Sequence, residues 1–167
     1  STNGLTRNAL SQGEVWSDNL KPGSIWDPNQ YLNIWVSDIQ GGTLGYATFP
    51  GTSPNGDGVV VDYQYFGRAP ENPFNTPFDL GRTATHEVGH WLGLEHTFQG
   101  SSCAGNTIAN CTFAGDGICD TPPLQGPNYG CSFSTNQDGC TETPNNLPDM
   151  WMNFMDYSDD ACLLMFT

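Results

Sequence analysis

Hydrophobic and polar residues alternate along two stretches in the first half of the chain. Residues 31–36 and 58–65 both have the two-residue period of a half-buried strand. Between them, residues 44–50 carry small side chains and end in Pro50, which is typical of an edge strand. We therefore expect these segments to belong to one twisted sheet.

A helical segment follows the sheet and contains every histidine of the chain. His86 and His90 are four residues apart, so on a helix they lie one turn apart on the same face and can bind one metal ion. Gly93 can adopt left-handed dihedral angles, which lets the helix end and the chain turn back to deliver His96 to the same ion. Three protein ligands leave a fourth zinc position open for water, as in catalytic sites.

Glu87 is placed for chemistry rather than for metal binding. It lies one position further round the same helical turn, where its carboxylate can reach a metal-bound water and act as the general base. A helix with surface histidines would explain neither Glu87 nor the lack of histidines elsewhere in the sequence. The pattern therefore predicts metal-assisted hydrolysis.

Two motifs resemble those of the metzincin zinc endopeptidases. Residues 86–96 (HEVGHWLGLEH) resemble the signature HExxHxxGxxH of that class. Residues 152–157 (MNFMDY) resemble the metzincin methionine turn, with Met155 as its methionine. An unbranched thioether can pack beneath the histidines without competing for the metal. The resemblance implies an α+β fold, with a mixed twisted sheet and an active-site helix above an irregular, disulfide-stapled C-terminal subdomain.

Longer stretches are similar to one metzincin family, the pappalysins. They are residues 86–98, residues 115–122 (GDGICDTP), and the turn 155–157 followed by Asp159, Asp160 and Cys162. The similarity covers roughly residues 31–167. It implies that the Tyr157 hydroxyl lies near the zinc, either as a distant ligand or as a donor to the oxyanion of the transition state. The alternative is that Tyr157 is an ordinary half-buried aromatic residue with no role at the zinc.

The subdomain boundary follows from the same resemblance. Residues 1–96 are expected to form the N-terminal subdomain with the sheet and helix, and residues 97–167 the C-terminal one with the loops and the methionine turn. Metzincins usually open with a strand, a helix and another strand. Because the first 30 residues do not replace these elements, we expect the N-terminal subdomain to be truncated at its start.

Six cysteines fall in the C-terminal part of the chain, where Gly, Pro, Asn and Ser predominate. Disulfides suit such a segment, because it has little core to hold it together. Six cysteines allow fifteen complete pairings, and their spacing does not choose among them. A second zinc site made of thiolates is disfavoured, since the sequence contains no C-x-x-C pair. The pappalysin resemblance implies the pairs Cys103–Cys119, Cys111–Cys140 and Cys131–Cys162.

Charge excludes some partners and favours others. The chain has 18 acidic residues against 4 basic ones and a formal net charge of −14, so nucleic acid and anionic membranes are poor partners. Carboxylates in glycine-rich loops can bind calcium, and the resemblance points to Asp116, Asp120 and Thr121 as ligands. The alternative is a solvated acidic surface. The Asp57 turn is interpreted only as a tight turn between strands.

In metzincins an edge strand forms the upper rim of the cleft and pairs with extended substrate. Here that strand is expected to present Gly45, Tyr46, Ala47 and Thr48 to a peptide, unless the edge faces only solvent. Asp159 and Asp160 follow the methionine turn, near the pocket just past the scissile bond. Carboxylates there would favour Arg or Lys at that substrate position.

The sequence therefore predicts a secreted zinc endopeptidase that acts on proteins or peptides as a monomer, with structural calcium. Secretion is inferred from the cysteines and the family resemblance. No stretch approaches the roughly 20 apolar residues that a membrane span needs. A noncatalytic binding or adhesion module on the same fold is the main alternative, and it predicts a lost base or ligand. A metalloesterase or deacetylase would need the same zinc and base but not the rim strand.

Overall fold

The structure is a computed structural model that describes residues 4–11, 16–52, 54–68, 70–101, 103, 115–131, 138–141 and 146–167. Within these ranges it contains three β-strands: β1 (Ile34–Ser37), β2 (Gly45–Ala47) and β3 (Val59–Asp62). One α-helix follows, α1 (Arg82–Trp91). Four short 3-10 helices span Asp18–Gly23, Pro54–Gly56, Tyr63–Tyr65 and Gln99–Ser101.

The sheet is mixed, and β3 lies at its centre. β1 pairs with β3 in parallel and β2 pairs with it antiparallel. Val59, Val60 and Val61 have no exposed surface, so β3 is buried on both faces rather than half-buried as the alternation predicted. The strand also ends earlier, at Asp62, whose carboxylate accepts a hydrogen bond from the backbone N–H of Gln64 and starts a 3-10 turn. The predicted edge strand is confirmed as β2.

β1 is shorter than the predicted strand 31–36, and its aliphatic side chains lie on the more exposed face of the strand. Ile34 and Val36 are more than 40% exposed, while Trp35 between them points inward. The Trp35 indole donates a hydrogen bond to the Ser24 hydroxyl. The partly buried side of β1 therefore faces the N-terminal segment, and its aliphatic side chains lie on the open face.

The first 3-10 helix contacts Trp35 of β1 and Tyr46 of β2 through a buried lysine. Lys21 is only 2% exposed, and its Nζ lies 3.0 Å from Asp18 Oδ1 and 5.0 Å from the Tyr46 ring centroid. It also lies 5.4 Å from the Trp35 ring. The Tyr46 hydroxyl donates to Asp18 at 2.6 Å, and burial, followed by that bond, raises the pKa of Tyr46 to about 12. An N-terminal segment that the sequence left without an assigned element thus holds the edge strand in place.

The helix α1 begins without a capping side chain of its own. Gly81 precedes it with φ 78°, so the residue at the cap position has no side chain to accept a hydrogen bond. Instead Asp160 Oδ2 accepts from the backbone N–H of Leu80 at 2.8 Å and of Arg82 at 3.1 Å. A carboxylate is favourable at a helix N-terminus because it satisfies unpaired N–H groups and the helix dipole. The C-terminal segment thereby fixes the start of the helix.

One C-terminal disulfide is the predicted one. Cys131 and Cys162 are bonded, with their Cα atoms 5.8 Å apart. The neighbouring backbone supports the same contact, because Gly130 forms a parallel bridge with Ser158. The disulfide therefore ties the segment before Cys131 to the chain that follows the methionine turn.

The other two predicted pairings are wrong. Cys103 is bonded to Cys140, with a Cα separation of 5.5 Å, which excludes both Cys103–Cys119 and Cys111–Cys140. Cys119 is also disulfide-bonded, and Cys111 lies outside the described residues. A disulfide needs Cα atoms about 4.4–6.8 Å apart, and which loops approach this closely is decided by the tertiary fold, not by sequence spacing.

Candidate metal centre and substrate cleft

Three histidine rings meet at one point. His86 and His90 project from α1, and His96 arrives from the loop after Gly93, whose φ of 98° allows the reversal. His96 Nε2 lies 3.1 Å from His86 Nε2 and 3.0 Å from His90 Nε2. One ligand atom from each histidine lies within 4.8 Å of the others, and this is the only such donor group found among the described residues. Helix spacing and a glycine turn are thus sufficient to assemble the centre.

The outer ring nitrogens explain why the inner ones can bind a metal. His86 Nδ1 lies 2.7 Å from the Phe154 carbonyl oxygen, and His90 Nδ1 lies 2.7 Å from that of Leu94. A carbonyl can only accept, so each Nδ1 carries the proton and each Nε2 presents a lone pair. Burial, with repulsion from His90, lowers the pKa of His86 to about 3 and that of His96 to about 4. Neutral imidazoles facing one point fit a zinc ion with three protein ligands.

Glu87 lines the same cleft and is 6% exposed. Burial raises the pKa of its carboxyl to about 8. Its position depends on Gly45 of β2, because a Cβ added to that glycine would lie 2.9 Å from Glu87 Cγ and 2.9 Å from the Val60 carbonyl oxygen. The edge strand can pass this close to the helix only where it has no side chain.

Met155 and Tyr157 lie on the other side of the histidines. Met155 is 3% exposed, and its sulfur fills the space where Gly89 of α1 lacks a side chain. The Tyr157 ring lies 4.9 Å from the His96 ring and 5.7 Å from the His86 ring, centroid to centroid, and it lines the cleft. The structure therefore brings both predicted residues beside the metal-binding histidines.

The predicted rim strand reaches the cleft in part. Gly45, Tyr46 and Ala47 line it, but Thr48 does not. The Thr48 hydroxyl instead accepts from the Gly58 backbone N–H at 2.8 Å, so this side chain closes the turn that leads into β3. A neighbouring turn thus uses the Thr48 hydroxyl, and a substrate contact at Thr48 stays a prediction.

The two acidic residues after the methionine turn, Asp159 and Asp160, occupy different environments. Asp160 lines the cleft, although it is only 2% exposed and its Oδ2 caps α1. Asp159 is partly exposed and is not part of the lining. Its backbone N–H donates to Gly130 and its carbonyl accepts from Cys162, which turns the chain between the two carboxylates. A substrate contact at Asp159 stays a prediction.

Of the predicted calcium residues, Asp116 and Thr121 are partly buried and Asp120 is exposed. The one converging group of His, Cys, Asp and Glu donors among the described residues does not include them. Asp116 Oδ1 accepts from the Ile118 backbone N–H at 2.9 Å, and the Thr121 hydroxyl lies 2.9 Å from that of Thr167. Burial, and to a smaller extent the charge of Asp120, raises the pKa of Asp116. A nearby cation would relieve both effects. Calcium binding here stays a prediction.

Several cleft residues could not be identified from the sequence. Leu44 and Phe49 lie in the predicted rim strand, and Ser158 follows the methionine turn, but none was singled out by residue. The others belong to no motif and come from segments far apart in the chain, which only the fold brings together. The lining residues that were missed are Gly42, Thr43, Leu44, Phe49, Phe78, Arg82, Thr83, Tyr129, Ser158 and Leu163.

A mixed sheet with an edge strand above a helix that carries two histidines, and a third histidine after a glycine turn, defines the metzincin class. The family model described as Pregnancy-associated plasma protein-A, a peptidase family, matches residues 16–167. The chain belongs to this family, the pappalysins.

Relatives and solved structures agree with this assignment. The chain is 38% identical over 138 residues to extracellular metalloprotease 1 of Coccidioides posadasii, covering 81% of this chain and 45% of the relative. An extracellular metalloprotease of Colletotrichum graminicola is 39% identical over 142 residues, with the same two coverages. The chain therefore spans about half the length of these relatives.

The structure is similar to mature mirolysin from Tannerella forsythia, solved in complex with a cleaved peptide. The TM-score is 0.81 at 44% identity, and the match covers 100% of this chain and 62% of mirolysin. A second mirolysin structure, in complex with a small compound, gives a TM-score of 0.79. Among the described residues, no helix is both long and apolar enough to cross a membrane.

Proposed function

We propose that the chain carries the active site of a secreted zinc-dependent endopeptidase. The observation that supports this most directly is the convergence of three Nε2 lone pairs within 4.8 Å, beside the buried carboxylate of Glu87. The relatives' names, extracellular metalloproteases, support both the reaction class and secretion. The three histidines would hold the zinc, which when bound lowers the pKa of a water molecule and polarises the scissile carbonyl.

Glu87 is the proposed general base. Burial alone raises its pKa to about 8, but a bound zinc ion would favour the ionised form, so the carboxylate can take a proton from the attacking water and later pass it to the nitrogen of the leaving amine. Tyr157 is the proposed donor to the oxyanion, because its ring lies beside His86 and His96 and is partly exposed to the cleft. Met155 supports the histidines from beneath by filling the gap at Gly89.

The substrate is proposed to bind as an added strand along β2. Gly45, Tyr46 and Ala47 line the cleft, and within the described sheet β2 pairs only with β3, so its outer edge is available to a peptide. Backbone hydrogen bonds to such an edge give affinity without sequence selectivity, which suits a protein or peptide substrate. An ester or acetyl substrate would make no use of this edge.

Asp160 is the residue proposed to favour Arg or Lys just after the scissile bond. Of the two adjacent acidic residues Asp159 and Asp160, Asp160 is the one that lines the cleft. The preference is expected to be moderate, because Asp160 already accepts two backbone hydrogen bonds and Arg82 lines the same cleft.

Three further features stay proposals. Asp116, Asp120 and Thr121 are the proposed calcium ligands, supported by the raised pKa of Asp116 beside Asp120. The division into subdomains at residues 96 and 97, and the monomeric state, rest on the sequence alone.

The test is a peptide library incubated with the zinc-loaded chain, with and without a chelator, and with cleavage sites mapped by mass spectrometry. Chelator-sensitive cuts are expected, enriched before Arg and Lys. Glu87→Gln is expected to lower turnover by at least a hundredfold while zinc stoichiometry is unchanged, because the amide cannot accept the proton. Substantial cleavage by this variant would exclude Glu87 as the base. Zinc binding by the wild-type chain without any cleavage would favour the noncatalytic binding module.

A further inference from the structure

Tyr129 is both strongly exposed and part of the cleft lining. Its side chain is 67% exposed, the highest value among the exposed large hydrophobic residues of the described chain. The same residue lines the cleft that contains His86 and Glu87. No motif predicted it, and neither zinc binding nor proton transfer uses it. Because this large ring is exposed to solvent at the edge of a cleft, we expect it to contact a molecule that binds in the cleft.

The backbone around Tyr129 is held in place on both sides. Before it, buried Asn128 donates from its backbone N–H and its Nδ2 to the two carboxylate oxygens of Asp156, at 2.9 and 2.7 Å. After it, Gly130 bridges to Ser158, and the Cys131–Cys162 disulfide follows. The ring is therefore presented on a fixed support, so little conformational entropy is lost when it makes a contact.

Tyr129 also stands at the outer end of a row of aromatic rings. The row begins at His96, which stacks on Phe98 at 4.8 Å with an interplanar angle of 9°. Phe98 contacts Tyr157 at 4.9 Å, and Tyr157 contacts Tyr129 at 6.1 Å. The row leads from a metal-binding histidine to the exposed ring, so a molecule whose scissile bond lies at the histidines can extend over Tyr129.

We propose that Tyr129 is a specificity-determining residue that binds an apolar side chain of the peptide substrate, aromatic or long aliphatic, at a position away from the scissile bond. The inference rests on the proposed endopeptidase function. A peptide paired with β2 directs alternate side chains to opposite faces, so side chains of only one parity can meet the Tyr129 ring. Ring pairs of this kind contribute modestly beyond the area that they bury, which makes the residue a determinant of selectivity rather than of turnover.

The test compares Tyr129→Ala and Tyr129→Phe with the wild-type chain. Tyr31→Ala is the matched control, because Tyr31 is 49% exposed, packs edge-on against Trp26 and does not line the cleft. A library first identifies the substrate position at which wild type selects apolar residues. Two peptides that differ only there, Phe against Ala, are then assayed. Tyr129→Ala is expected to raise KM for the Phe peptide about three- to tenfold, with less than a twofold effect on the Ala peptide and on kcat. Tyr129→Phe is expected to keep the wild-type preference.

A second readout separates this inference from the proposed function. In the Glu87→Gln background, binding of the same two labelled peptides is measured by fluorescence anisotropy, which does not need turnover. Loss of the Phe-over-Ala preference on adding Tyr129→Ala supports the inference even if wild type cleaves neither peptide. An unchanged preference overturns it, whether or not cleavage occurs. Equal weakening of both peptides, or a fall in kcat alone, overturns it too, because Tyr129 would then act only by supporting Tyr157.

Discussion

Replacing Gly45 by Ala tests how closely the edge strand and the candidate base are packed. The added Cβ would lie 2.9 Å from the Val60 carbonyl oxygen and 2.9 Å from Glu87 Cγ. The first contact is with backbone inside the sheet, so the clash cannot be relieved by a side-chain rotation alone. Either β2 must move away from β3 and α1, or Glu87 must be displaced from its place in the cleft.

The expected cost follows from these two contacts. One methyl group forced into a well-packed site costs about 1–3 kcal/mol of folding free energy. Loss of glycine's freedom in the unfolded chain offsets about 0.4–1 kcal/mol of this. The difference is about 0–2.6 kcal/mol, and we expect a net destabilisation of about 1 kcal/mol, which for a chain of this length lowers Tm by roughly 2–4 °C. Because Glu87 moves, kcat is expected to fall about tenfold or more while zinc stays bound.

The measurement is chemical and thermal unfolding of the zinc-loaded protein, together with zinc stoichiometry and peptide kinetics. Gly126→Ala is the matched control, because a Cβ there meets nothing within 4 Å and its backbone is not in the left-handed region. It is expected to change stability by less than about 0.5 kcal/mol. A Gly45→Ala protein as stable and as active as wild type would show that the contact between β2 and Glu87 is not as tight as the structure has it.

Two further predictions concern a buried and an exposed carboxylate. Asp160→Ala is expected to cost about 2–4 kcal/mol in an unfolding experiment, because it leaves two backbone N–H groups at the start of α1 without their acceptor, whereas Asp159→Ala should be nearly neutral. For Asp18, burial raises the pKa, but hydrogen bonds from Tyr46 and Lys21 outweigh it and the net pKa is lowered below 3.8. Its stabilisation is therefore present above pH 3.8 and lost as pH falls through the lower folded value. Since Asp18 is largely exposed, we expect at most about 1 kcal/mol. Urea unfolding of Asp18→Asn should show a flatter acid limb than wild type, and identical acid limbs would contradict the assignment.

The metal centre was predictable because its geometry is almost entirely local. His86 and His90 share a helix face by virtue of their spacing, and Gly93 does adopt the left-handed conformation that the motif requires. Glu87 follows from the same helical turn. None of these positions depends on which other part of the chain packs nearby, so eleven consecutive residues were sufficient.

The sheet was predicted less completely. The edge strand and the sheet were recognised from residue types, but β3 is buried on both faces. The helix α1 packs against β2 and β3, and Lys21 of the N-terminal segment lies over the rings of Trp35 and Tyr46, which flank Val60 in the sheet. In contrast, the aliphatic residues Ile34 and Val36 of β1 are exposed. Alternation along one strand specifies which residues share a face, but it does not specify whether that face is covered.

The directions of single side chains were the least predictable. Thr48 closes a turn, the Asp159 backbone bonds Gly130 and Cys162, and Asp160 accepts a hydrogen bond at the start of a helix, from Arg82. Each of these roles is decided by a neighbour distant in sequence. The same holds for Lys21, whose burial between two aromatic rings has no signal in the residues around it.

By itself, the sequence determined the candidate metal ligands, the candidate base, the methionine turn and the family, because these depend on residue identity at short, fixed spacings. The tertiary structure alone decided which cysteines pair, which of two adjacent carboxylates reaches the cleft, and that Tyr129 stands beside Tyr157. These outcomes depend on which segments pack together, and that is set by burial and hydrogen bonding summed over the whole chain rather than by any local pattern.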